Sequence, residues 1–138
     1  MKKIICALLV FVMMISLAAC EKNYTHGEYK ITIEASCVKN NKVGNEWSEY
    51  FYCDGKRISS GDTIIESLGS QVIIRAEFTE RDKYSDKGSS TVTILLEDGT
   101  SETFDVRVVE DNGSYDGNVA IWRVKVKVDL IRKKQADD

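Results

Sequence analysis

Residues 91–110 read TVTILLEDGTSETFDVRVVE, and their alternation decides the fold. Val92, Ile94 and Leu96 alternate with polar residues up to Asp98-Gly99, and Phe104, Val106 and Val108 alternate beyond it. A period of two places apolar side chains on one face of an extended strand. Asp-Gly between two such runs predicts a tight hairpin, because both turn residues must accept positive φ.

The same period extends outward in both directions. In YKITIEASC, Ile31, Ile33, Ala35 and Cys37 share one side. In QVIIRAEF, Val72, Ile74, Ala76 and Phe78 do so, and in VAIWRVKVKVDL the set is Trp122, Val124, Val126, Val128 and Leu130. WSEYFYC and DTIIE add two strands, with Asp54-Gly55 as a second tight turn. After residue 20 no stretch sustains a 3.6-residue period over three turns. About seven or eight short strands with turn signals between them predict an all-β fold, an antiparallel β-sandwich, with a small closed barrel as the alternative.

The chain has 138 residues, 43% apolar and 30% charged, and no proline. That composition suits one globular domain and excludes a disordered tail or a membrane bundle. The first nineteen residues form a separate unit. Lys2 and Lys3 precede a nearly continuous apolar run from Ile4 to Leu17, and Ala18 and Ala19 lead to Cys20. The layout is that of an export signal helix, too short for a spanning helix.

Leu17-Ala18-Ala19-Cys20 resembles the lipobox of bacterial lipoprotein precursors: an aliphatic residue, two small ones and a cysteine. The resemblance implies a diacylglyceryl thioether on Cys20, with Leu17, Ala18 and Ala19 recognised by the peptidase that cuts before it. Membrane lipid is then the first partner, and the location is the extracytoplasmic side of the cell membrane. Two acyl chains hold a protein where one binds only marginally. The organisation expected is a signal peptide over 1–19, a lipidated tether over 20–29 and a β-sandwich domain over 30–134. A chain starting at Cys20 carries 17 Lys+Arg and 22 Asp+Glu, or −5, because Lys2 and Lys3 are lost from the 19 basic residues. Such a balance exerts no general pull on nucleic acid. Glu21, standing where family members held on an inner membrane carry Asp, implies no such retention.

The strand pattern also resembles immunoglobulin-like and C2 domains. The C2 likeness lies in EFTERDKYSDKGSSTVTILL, where an acidic loop, a glycine and a strand follow in order. Asn40, Asn41 and Glu46 stand where such a domain carries the aspartates of its first loop. One loop holds Glu80, Asp82 and Asp86, and another holds Glu110, Asp111, Asn112, Asp116 and Asn118. An up-and-down count brings both to one end of the sandwich. Calcium takes six to eight oxygens from such groups, so Glu80, Asp82, Asp86, Asp111 and Asp116 are its candidate ligands. The alternative is a pair of solvated turns, with Lys83 and Lys87 opposing a cation. No cofactor is required by this reading.

Cys37 and Cys53 fall on inward positions of strands that can be neighbours, and an exported location permits a disulfide; two buried thiols are the alternative. Arg123, Lys125 and Lys127 alternate on the last strand, followed by Arg132, Lys133 and Lys134. They suit either anionic headgroups or a guarded sheet edge. His26 is the single histidine and falls in the expected tether, so no Ser-His-Asp or Cys-His set assembles within the predicted domain. Trp47, Tyr50, Tyr52, Tyr84 and Tyr115 lie in or beside loops, as residues of binding surfaces do, with Trp47 the best placed to cap the core. The function expected is a non-catalytic binding or adhesion module, not an enzyme, with an envelope protein or glycan bound through its end loops as partner. A calcium-binding C2-like module and a small carboxylate-dependent envelope enzyme are the alternatives.

Overall fold

The computed structural model describes residues 23–82, 84–111 and 116–135, so the expected lipidation site Cys20 and the residues Leu17 to Ala19 before it, with Lys83 and Tyr115, lie outside the described residues. Eight strands form two antiparallel four-stranded sheets, a β-sandwich and not a closed barrel. They are β1 (His26–Asn40), β2 (Trp47–Cys53), β3 (Lys56–Ile58), β4 (Thr63–Ser67), β5 (Gln71–Glu80), β6 (Lys87–Leu95), β7 (Ser101–Val109) and β8 (Val119–Lys134). One sheet runs β4-β1-β8-β7 and the other β3-β2-β5-β6.

The inward parity follows the apolar alternation. Ile31, Ile33, Val72, Ile74, Phe78, Ile94, Val106, Val108 and the valines at 124, 126 and 128 are buried between the sheets. Removing each such side chain from water stabilises the fold by about 1.5–3 kcal/mol before ordering costs. Phe78 from one sheet stacks on Trp122 from the other, with centroids 4.5 Å apart and planes 13° apart. Trp47 closes the same end, edge-on to Trp122 at 5.3 Å.

Three expectations are corrected. Asp98-Gly99 does not join a hairpin, because β6 and β7 belong to opposite sheets. Both strands are apolar on one face, and burying those faces against each other is an alternative to pairing them edge to edge. The turn is instead tied to β8: Asp98 Oδ1 accepts from Leu130 N at 2.8 Å, and Gly99 N donates to Val128 O at 2.9 Å. Asp54-Gly55 is the true two-residue hairpin, with both residues at positive φ (47° and 81°) and Cys53 opposite Lys56.

The first strand starts at His26, ahead of the expected boundary at 30, so His26 is a strand residue. Gly27, read as tether, faces inward; a Cβ there would lie 2.6 Å from the Tyr29 ring. Lastly, β8 lies between β1 and β7, so its basic residues guard no edge. Arg123 pairs with Asp105 of β7 at 2.9 Å, Lys127 with Asp129 at 2.6 Å, and Arg132 with Glu28 at 2.6 Å.

Candidate functional site

The outer face of the β3-β2-β5-β6 sheet gathers side chains that the core does not need. Register sets Arg57 opposite Tyr52, Tyr52 opposite Arg75 and Arg75 opposite Thr91, one row running across four strands. In the next row Tyr50 lies opposite Glu77, and Glu77 opposite Ser89. The Arg57 guanidinium stands 4.6 Å from the Tyr50 ring centroid, and that of Arg75 stands 4.1 Å from the Tyr52 ring. A guanidinium over a ring is attracted by the ring quadrupole. Its in-plane N–H groups stay available for a carboxylate or phosphate.

Arg81 donates to the Tyr50 hydroxyl at 3.4 Å. That bond, then the Ser48 hydroxyl and the Arg81 charge, hold the Tyr50 hydroxyl below the ordinary tyrosine range. Glu77 is the one acid in these rows. It is buried under Lys87 at 2.8 Å and Arg75 at 3.7 Å. The face thus carries Arg57, Arg75, Arg81 and Lys87 against Glu77, an excess of three positive charges (four minus one), on a chain whose net charge is −3.

The acidic loops do meet at one end. Glu80 N donates to Asp86 O at 2.8 Å, and Asp111 N to Asp86 Oδ1 at 3.0 Å. Their carboxylates differ in burial. Glu80, Asp86 and Glu110 are buried, whereas Asp82, Asp111 and Asp116 are exposed. Asp82 Oδ1 accepts from Tyr84 N at 2.7 Å. Among the described residues, no three Asp, Glu, His or Cys side chains come together as a ligand set. Asn40 turns to its own loop, donating to Gly44 O at 2.6 Å and accepting from Val43 N at 3.0 Å. Glu80 Oε2 and Glu110 Oε2 are buried, with no hydrogen-bond partner among the described residues. Burial, and next the neighbouring Asp82 charge, raise the Glu80 carboxyl above the usual carboxylate range.

Cys37 and Cys53 lie in opposite sheets as free thiols. Cys37 keeps inward parity, opposite Trp122, yet is exposed, and a β-bulge follows it. Its Sγ donates to Lys39 O at 3.2 Å. Cys53 is buried beside an open cleft of about 570 Å³ between β3 and β4, near Ile58 and Ile64. Burial first, then the Asp54 and Glu66 charges, push its thiol up to about 11.

Trp47 caps the core as expected, while Tyr50 and Tyr52 sit mid-strand on the arginine face. The arginine partners escaped the sequence reading, because residues 57 and 75 adjoin only through two strand registers. The alternation of Tyr50 and Tyr52 against Trp47, Phe51 and Cys53 was the one local signal for an outward aromatic pair.

Architecture and site together define an eight-stranded antiparallel β-sandwich with a basic, tyrosine-backed sheet face. No protein-family model, curated protein or solved structure matches the chain.

Proposed function

We propose that this protein is a lipid-anchored, extracytoplasmic binding module, tethered through Cys20 and engaging an envelope component with the outer face of its β3-β2-β5-β6 sheet. The observation that carries the binding reading is the pair of guanidinium–tyrosine stacks, Arg57 on Tyr50 and Arg75 on Tyr52. They lie away from the core, and Arg and Tyr are the residue types that concentrate binding energy at interfaces. The lipobox-like Leu17-Ala18-Ala19-Cys20 supports the anchor. In this reading the end loops, read from the sequence as the contact surface, shape the sandwich rim.

A photo-cross-linking residue at Thr91, on that face, is compared in cells with one at Thr103, on the outer face of the other sheet. The reading expects an envelope adduct at position 91 and none at 103. Adducts equal at both positions, or absent at 91, contradict it.

A further inference from the structure

We infer that the arginine face takes an anionic glycan, a sugar polymer bearing carboxylates. This rests on the binding role of that face and adds its ligand class. The first ground is charge: three positive charges in excess collect on one sheet face of a net acidic chain. Arg57 and Arg75 are separated by Tyr52 along one cross-strand row, two inter-strand spacings or about 9.6 Å at the backbone. Each guanidinium lies over a tyrosine ring, which limits its rotamers before any ligand arrives and lowers the ordering cost of binding. A fork held this way suits bidentate pairing with a carboxylate.

The second ground is what adjoins the cations. Ser89, Thr91 and Thr93 project from β6 on the same face, opposite Glu77, Arg75 and Ile73, and all three are exposed. Their hydroxyls both donate and accept, as sugar hydroxyls do. An acidic polysaccharide offers carboxylates and hydroxyls together along its length. An extended acidic peptide gains affinity by adding a strand to a sheet edge. Tyr52 stands where both edges of β2 are paired, by β3 and β5, and Arg75 stands on the interior strand β5, so a strand added at a sheet edge would not lie over that stack. The chain leading from Cys20 joins the domain at β1, in the opposite sheet. The described chain thus enters on the sheet opposite the arginine face, which disfavours the membrane itself as occupant.

The test uses the full chain in nanodiscs of zwitterionic lipid, titrated with labelled polygalacturonate, poly-L-glutamate and phosphatidylglycerol vesicles. Polygalacturonate is expected to bind best, weakening at least about tenfold between low and 0.5 M salt, since exposed charges are screened over about 10 Å at 0.1 M. Arg57→Gln and Arg75→Gln are each expected to weaken it about tenfold or more. Lys125→Gln, on the outer face of the other sheet, leaves it unchanged. Arg75 also neutralises the buried Glu77, so Arg57→Gln, at an exposed position, keeps the test valid if Arg75→Gln folds poorly. Binding indifferent to both arginines, stronger binding of polyglutamate or vesicles, or no binding of polygalacturonate overturns the inference. A protein adduct at position 91 together with no polygalacturonate binding would leave the binding module standing and remove only the glycan.

Discussion

Truncating Phe78 to alanine tests the packing of the two sheets. The ring is fully buried, stacked on Trp122 across the sandwich at 4.5 Å and set edge-on to Phe51 at 6.2 Å. Removing a buried phenylalanine ring costs about 3–5 kcal/mol, part of it transfer and part the residual cavity. The stacked pair accounts for about 0.5–1.5 kcal/mol of that loss. Single domains have about 5–15 kcal/mol in total, so the variant retains little reserve. At roughly 4 °C per kcal/mol for a domain of about this size, its melting midpoint falls about 12–20 °C. Phe78→Leu keeps most of the volume and costs about 1.5 kcal/mol. Urea unfolding followed by tryptophan fluorescence reads both, since Trp122 stacks on the ring and Trp47 packs on Trp122, and an unchanged slope shows that the same surface unfolds. A loss below about 1 kcal/mol for Phe78→Ala would refute the inter-sheet stack, because no fully buried ring is that cheap to remove.

Glu80→Gln is expected to stabilise the protein increasingly as pH rises. The raised Glu80 carboxyl costs nothing below the ordinary carboxylate range, and stability is lost as pH climbs through its folded pKa, at about 1.4 kcal/mol per unit of displacement. Parallel stability curves for wild type and variant between pH 4 and 8 would contradict this. Iodoacetamide at pH 8 should label exposed Cys37 and spare Cys53, whose thiol is buried and pushed up to about 11; peptide mass mapping with Cys53 modified in native protein would oppose it. Gly55→Ala should cost about 1–2 kcal/mol, because φ is 81° there. Gly55→Asn should cost less, and equal losses in thermal melts would argue against the two-residue turn.

Legibility in the sequence tracked how local each feature is. Alternation along 72–78 and 122–128 names the buried face of β5 and β8, because parity is a property of one strand. Asp54-Gly55 and Asp98-Gly99 are identical dipeptides with different outcomes. The first closes a hairpin, and the second carries the chain between sheets because Val128 and Leu130 of a distant strand hold it. Cys37 shows the same limit: its parity is inward, but β1 outruns the cover of the opposite sheet. The arginine face was hidden for this reason too. Tyr50 and Tyr52 are visible as an outward pair, whereas Arg57 and Arg75 reach them only through the registers of β3 and β5. Likewise, Glu80 was legible as a loop acid, but its burial depends on the loop over 41–46, where Gly44 comes against its carboxylate and Arg81 N meets Glu46 O at 2.6 Å.

The proposed mooring through Cys20, which would present the arginine face to the envelope, can be measured directly. Intact mass of the protein extracted from bacterial membranes should show a chain beginning at Cys20 and carrying a diacylglyceryl group on it. A mass equal to the unmodified chain, or one cut elsewhere without lipid, would contradict the account.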